Sequence, residues 1–181
     1  MRSRERSTRV FLWIAVFFWG VGLGAKLFDL IILASAWGAT PPGSLNLLPY
    51  GPRFPFNPGD FFQPLSALMV VAVVGALISG WKTPFEYRVW LWAPIMAFVI
   101  IWIATPTVFW PMIHELYGAA TGKLVRSEGE LTHLVRRWII ADWLRLATIA
   151  AGFMASIRAI SMPYPREGST NTMKATPSPR S

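Results

Sequence analysis

The chain has 181 residues, 54% of them hydrophobic and 14% charged, and its formal net charge is +8. Its length allows one compact domain, and its composition is more apolar than that of an ordinary soluble protein. It contains no cysteine, which excludes disulfides, thiolate catalysis and cysteine-ligated metals.

The basic residues concentrate in the flanks and loops of the apolar segments, so the positive-inside rule explains the net charge. We therefore expect no nucleic-acid partner. Ten basic residues lie on the side of the termini: Arg2, Arg4, Arg6, Arg9, Lys82, Arg88, Arg158, Arg166, Lys174 and Arg180. Five lie on the other side: Arg53, Lys123, Arg126, Arg136 and Arg137. This difference predicts cytoplasmic termini, in a bacterial inner (cytoplasmic) membrane.

Four apolar segments are long enough to cross a bilayer, which takes about 20 residues. They cover residues 10–37, 61–80, 89–112 and 136–160. The ten tryptophans are also typical of a membrane protein, because indole rings settle at membrane interfaces. The predicted fold is an all-α membrane protein, a four-helix transmembrane bundle over residues 10–162 with the lipid bilayer as its partner.

The remaining segments are predicted to be tails and loops. Residues 1–9 form a basic cytoplasmic tail, and the helix after it is too long for the apolar region of a signal peptide, so we interpret it as uncleaved. Residues 38–60 carry six prolines and predict a Pro-rich outer loop that packs on the bundle mouth. Residues 113–135 form a second outer loop, and the polar residues 163–181 form a disordered cytoplasmic tail.

Ionisable residues lie within or next to three of these helices. Lys26 and Asp29 are spaced to pair across one turn, either as a snorkelling interfacial pair or as part of a cavity lining. Asp142 and Arg145 lie on one stripe of the fourth helix with Trp138. Pro106 predicts a kink near the end of the third helix.

By this topology the ionisable groups approach the outer third of the bundle: Lys26, Asp29, His114, Glu115, Asp142 and Arg145. An intramembrane charge predicts a functional site, whereas a charge network that only fixes helix packing is the alternative. A metal site formed by His114 with nearby carboxylates is conceivable, but the spacing matches no metal motif. Haem ligation by His114 and His133 has no better support, and we assign no metal or cofactor.

One set of residues resembles the anthrone oxygenase-like family of four-helix membrane proteins, most of them of uncharacterised function. These residues are the run 105–107 (Thr-Pro-Thr), Pro111, Leu116, the run 134–138 (Leu-Val-Arg-Arg-Trp) and Arg145. Asp142 stands where that family often has Asn or His. The resemblance implies a four-helix fold and, in its better-known members, oxygenation of a polyketide anthrone to an anthraquinone.

The resulting hypothesis is an oxygenase-like oxidoreductase that oxygenates or binds a small lipophilic or aromatic molecule in a polar outer-leaflet cavity. Arg145 would stabilise a phenolate or enolate, with His114 or Asp142 as the base. Lys26, Asp29, Trp110 and Trp138 would bind the substrate. The alternative is a non-catalytic membrane subunit or scaffold, in an oligomer or a membrane complex.

Overall fold

The computed structural model describes residues 2–50 and 54–165, which form helices and no strand. Four helical rods are long and apolar enough to cross a membrane: Ser3–Trp37, Pro58–Ser79, Phe85–Ala120 and Glu128–Ser161. The predicted four-helix membrane bundle is confirmed, and the chain has the helices of an integral membrane protein.

The rods comprise six α-helices and two π-helical segments. The first contains α1 (Arg2–Phe28), a π-helical segment (Asp29–Leu33) and α2 (Ala34–Trp37). The second is α3 (Pro58–Ser79), and the fourth is α6 (Glu128–Ser161). The third contains α4 (Phe85–Ala104), a second π-helical segment (Thr105–Phe109) and α5 (Trp110–Ala120).

The rods form a ring in chain order. Helix α1 packs against α3 and α6, and α4 packs against the same two helices. The start of α1, the connection 80–84 and the end of α6 share one end of the bundle, named here the terminal end. Residues 38–50, 54–57 and 121–127 share the other, the loop end. The outer surface exposes large apolar side chains such as Phe17 (64%), Val71 (63%) and Leu144 (67%), as expected where lipid covers them.

Helix α1 begins at Arg2, so the predicted basic tail 1–9 is helical from its second residue. Polar residues support this extra length. The Arg9 Nε donates to Glu5 Oε1 at 3.3 Å, a pair spaced to stabilise a helix. The buried Thr8 hydroxyl lies within hydrogen-bond distance of the Arg4 carbonyl and, at 3.0 Å, of Ser79 Oγ, which ties α1 to α3.

Capping boxes start the second and fourth rods earlier than the apolar pattern predicts. Asn57 accepts from the N–H groups of Gly59 and Asp60, and α3 begins at Pro58 rather than residue 61. Ser127 caps α6, which begins at Glu128 rather than 136, and Glu130 completes the box. Because α5 also continues to Ala120, the second outer loop is 121–127 and not 113–135.

The described part of the Pro-rich segment packs on the loop end, as predicted. A short 3₁₀ helix (Gly43–Leu47) contacts α2 and α5. Leu45 and Leu48 are buried in one cluster with Leu116 and Trp138. Most of the predicted tail 163–181 lies outside the described residues, which end at 165.

Candidate functional site

The first rod contributes a buried ion pair at the junction of α1 and its π-helical segment. Lys26 Nζ lies 2.5 Å from Asp29 Oδ2, and the two side chains are only 4% and 9% exposed. Asp29 is the first residue of the π-helical segment. Such segments occur frequently at functional sites, because the extra residue per turn redirects side chains.

The fourth rod adds a second pair on the face that meets α1. Asp142 is fully buried, and its Oδ1 accepts from Arg145 Nε at 2.8 Å and also from Arg145 Nη2. Lys26 Nζ lies 2.8 Å from Asp142 Oδ2. At this distance the contact is an ion pair, so Lys26 lies between the carboxylates of Asp29 and Asp142.

Lys26, Asp29, Asp142 and Arg145 are named here the charge tetrad. It contains two cations and two anions, so it is formally neutral. A lone charge at membrane depth is costly, whereas paired charges turned inward are tolerated. Arg145 is the most accessible member, with 15% of its side chain exposed.

Three aromatic residues line the charge tetrad: Trp37, Phe109 and Trp138. They are named here the aromatic wall. Trp138 packs edge-on against Trp37 and Phe109, at centroid distances of 5.0 and 6.2 Å. The guanidinium carbon of Arg145 lies 3.7 Å from the centroid of the Phe109 ring, and Lys26 Nζ lies 5.2 Å from that of Trp138. Both cations therefore contact aromatic faces, an arrangement that stabilises a desolvated charge.

The Pro-rich segment brings Tyr50 to the same region. Its ring is half-buried and packs on the cluster that contains Trp37 and Trp138. Burial, together with the negative charge of Asp29, raises the pKa of the Tyr50 phenol above its ordinary value. Tyr50 is therefore a neutral hydroxyl at the edge of the charge tetrad at physiological pH.

The structure brings together five of the seven predicted site residues. Lys26, Asp29, Asp142 and Arg145 form the charge tetrad, and Trp138 belongs to the aromatic wall. Among the described residues the other two predicted ones, His114 and Trp110, have exposed side chains on α5 and make no ion pair or hydrogen bond with the tetrad.

Glu115 also lies apart from the charge tetrad. It pairs with Arg126 at 2.9 Å on the surface of the loop end. The helix is continuous across 105–120, and this sets the orientation of α5. Met112, Ile113 and Leu116 are buried, whereas His114 points outward. Two rods, not three, therefore supply the charges.

Sequence reasoning missed Phe109, Trp37 and Tyr50. Phe109 is the last residue of the second π-helical segment, and Pro106 within that segment is the signal that could have indicated it. Thr105 and Thr107 donate their hydroxyls to the carbonyls of Ile101 and Ile103, which satisfies groups near the proline. Trp37 and Tyr50 carry no pattern that separates them from the other aromatic residues.

Two surface depressions in the described parts of the chain lie elsewhere. One of about 510 Å³ is lined by residues at the start of α6, including His133 and Arg136. One of about 440 Å³ lies at the terminal end beside Arg6, Arg9 and Trp13. The predicted polar cavity is thus a packed cluster of charged and aromatic side chains in this conformation.

Within the described residues, no group of three or more histidine and acidic side chains is arranged to hold a metal ion. Comparison with known proteins adds no family: no family model, no curated protein and no solved structure matches this chain.

Proposed function

We propose that the chain is a membrane protein that binds a small lipophilic aromatic molecule against Arg145 and the aromatic wall. The observation that carries this proposal is the contact of the Arg145 guanidinium with the face of Phe109, at 3.7 Å. Arg145 is also the tetrad member with the greatest exposure, so an incoming ligand would meet it first. A planar guanidinium stacks on aromatic rings, and its fixed charge favours a delocalised oxyanion.

The resemblance to anthrone oxygenase-like proteins adds a reaction to this binding. A base would remove a C–H proton from an anthrone, and the resulting delocalised anion would donate electrons to dioxygen. The hydroperoxide formed at that carbon would lose water to leave the quinone. Arg145 and Lys26 would stabilise the anion. Asp142 Oδ2 would receive the proton, because Arg145 occupies the other oxygen of this carboxylate.

A non-catalytic packing role is the second candidate, and a specific observation favours it. The charge tetrad is neutral and internally paired, and none of its members lines either of the two surface depressions described above. Such a network would hold α1 against α6 and bind nothing.

Equilibrium dialysis of the purified protein in detergent against 2-naphthol separates the two candidates. We expect saturable binding by the wild type and about tenfold weaker binding by Arg145→Lys, since the loss of a stacked cation amounts to roughly 0.5–2 kcal/mol. Lysine keeps the charge but lacks the planar group.

Arg126→Lys is the matched control. Arg126 is also paired with a carboxylate, but it lies 41% exposed on the surface of the loop end, so its variant should bind like the wild type. Absence of wild-type binding to 2-naphthol and to related fused aromatics would leave the packing role as the function of the tetrad.

A further inference from the structure

Among the residues whose side chains are described, those at the terminal end carry an excess of positive charge. The basic ones are Arg4, Arg6, Arg9, Lys82, Arg88 and Arg158. The acidic ones are Glu5 and Glu86. At and near the loop end, acidic residues balance the basic ones: Lys123, Arg126, Arg136 and Arg137 against Asp60, Glu115, Glu128 and Glu130. An anionic partner is therefore attracted to the terminal end.

Two of these arginines begin a stripe of side chains along α1, named here the arginine stripe. Its members are Arg6, Arg9, Val10, Trp13 and Phe17. Spacings of three or four residues connect them, which places them on one face of the helix. The arginines come first, and the three apolar side chains that follow are all exposed. The first four members line the surface depression at the terminal end.

The order of residues along the arginine stripe matches the layers of a bilayer leaflet. Arg6 and Trp13 are seven residues apart, which is roughly 10 Å along the helix axis. The headgroup layer of one leaflet is about 5–8 Å thick, and tryptophan rings settle at the membrane interface. With Trp13 at that depth, Arg6 and Arg9 lie among the headgroup phosphates and Phe17 lies among acyl chains.

Two further pairs of arginine and tryptophan occur at the terminal end. The guanidinium carbon of Arg88 lies 5.5 Å from the centroid of the Trp81 ring, and that of Arg158 lies 5.9 Å from the centroid of Trp90. Both pairs combine a cation for the headgroups with an indole for the interface. They support the depth assigned to the arginine stripe.

We infer that the arginine stripe binds an anionic phospholipid, with its phosphate held by Arg6 and Arg9 and an acyl chain along Trp13 and Phe17. Guanidinium groups bind phosphate oxygens through paired, charge-assisted hydrogen bonds. A soluble phosphate would contact the arginines alone, whereas a lipid also covers the apolar part of the stripe. This inference does not depend on the aromatic ligand proposed above.

Glu5 competes with the lipid phosphate. It also lines the depression, and its Oε1 lies 3.3 Å from Arg9 Nε. This carboxylate offsets part of the Arg9 charge. Arg9 is engaged a second time, because its Nη1 donates to the carbonyl of Ile160 at 3.3 Å. Arg6 should therefore contribute more to lipid selection than Arg9, and removal of the Glu5 charge should strengthen that selection.

The test measures which lipid lies beside Trp13. The full chain is reconstituted into vesicles of phosphatidylcholine and phosphatidylglycerol, in which one lipid or the other carries brominated acyl chains that quench tryptophan fluorescence. In each background, the contribution of Trp13 is the difference from the same protein with Trp13→Phe. The ratio of quenching by the two brominated lipids gives the local preference for phosphatidylglycerol. Both leaflets contain both lipids, so the result is independent of orientation.

We expect the wild type to prefer phosphatidylglycerol and Arg6→Gln to lower that preference about fivefold. This factor corresponds to roughly 1 kcal/mol for one basic residue at an anionic membrane surface. Glu5→Gln should raise the preference, a gain that a misfolded protein would not produce. Arg136→Gln is the matched control, because it removes an exposed arginine from another rod. It should leave the preference at Trp13 unchanged.

Three outcomes would overturn the inference. Equal quenching by the two lipids in the wild type would mean that the stripe selects no headgroup. A preference that Arg6→Gln and Arg136→Gln change equally would belong to the net charge of the protein. If inorganic phosphate abolishes the preference and sodium chloride of equal ionic strength does not, the arginines bind a soluble anion instead of a lipid.

Discussion

At the scale of single residues, charge balance determines which changes the site tolerates. Removing one member of a buried ion pair leaves an uncompensated charge and costs about 3–5 kcal/mol in soluble cores. Asp142 contacts both Lys26 and Arg145, so its loss leaves two cations facing Asp29 alone. Any test of its chemistry must therefore restore neutrality as well as remove the carboxylate.

The choice of base between Asp142 and His114 gives a prediction at this scale. We expect Asp142→Asn to reduce anthrone oxidation by about 10²–10⁴-fold, the usual loss when a general base is removed. His114→Gln should keep the wild-type rate, because the His114 side chain is exposed on α5 and bonds to no tetrad member among the described residues. The measurement is dioxygen consumption and anthraquinone formation by membranes, scaled to folded protein.

The double variant Lys26→Met with Asp142→Asn is the control for charge balance. It removes one cation and one anion, which leaves Asp29 and Arg145 as a neutral remainder. It should restore the folded yield that Asp142→Asn loses while remaining inactive. A His114→Gln variant that is inactive but folded would transfer the role of base to the exposed histidine and contradict the assignment.

At the scale of the elements, the close approach of α1 and α6 positions the charge tetrad. Some glycines lie at this contact between the helices and others do not. Gly152 lies directly against Trp19, whereas Gly24 has no atom within 4 Å of the position its Cβ would occupy. Gly20 approaches Phe153, whereas Gly24 faces outward.

Alanine substitutions at these glycines should therefore have opposite effects. We expect Gly152→Ala to lower the free energy of unfolding by about 1–3 kcal/mol, because the new methyl would overlap the Trp19 ring. Gly24→Ala should be neutral or stabilising by up to about 1 kcal/mol, since alanine is the better helix former. Thermal unfolding in detergent measures both, and an equal loss of stability in the two variants would contradict the predicted contact.

The apolar pattern predicted the number of rods and their centres, but not their ends. Hydropathy identifies the part of a helix that lipid covers, whereas α6 begins eight residues earlier, in a polar stretch that includes Glu128, Glu130 and His133. The capping box of Ser127 and Glu130 was the readable signal for that start. At the other end of the chain, the Glu5–Arg9 pair similarly supports helix where hydropathy predicted a tail.

The sequence predicted the members of the charge tetrad but not the residues around it. Spacing alone pairs Lys26 with Asp29 and Asp142 with Arg145, as the structure has them. The link from Lys26 to Asp142 depends on how α1 rotates against α6, which no local pattern specifies. The placement of Phe109 depends on the π-helical segment around Pro106, and His114 turns outward because that rod continues without a break.

At the scale of the whole molecule, the two ends of the bundle differ in charge and in structure. The terminal end carries the described basic residues Arg4, Arg6, Arg9, Lys82, Arg88 and Arg158. The loop end carries the Pro-rich segment, the 121–127 loop and the surface pair of Glu115 with Arg126. The tetrad residues of the first rod, Lys26 and Asp29, lie in the half of that rod nearer to the loop end. The orientation in the membrane therefore decides which leaflet would supply the proposed ligand.

The positive-inside rule predicts the terminal end in the cytoplasm. Reporter fusions after Arg88 and after Ser181 should both give cytoplasmic signals, and a fusion after Arg53 should give a signal from the opposite side. Since an even number of rods returns the chain to its starting side, the first two fusions must agree with each other whichever orientation holds. If all three reverse, the charge tetrad faces the cytoplasmic leaflet, and its ligand would enter from that leaflet. If the fusions after Arg88 and Ser181 disagree, the third or the fourth rod does not cross the membrane, although its length and composition allow it to.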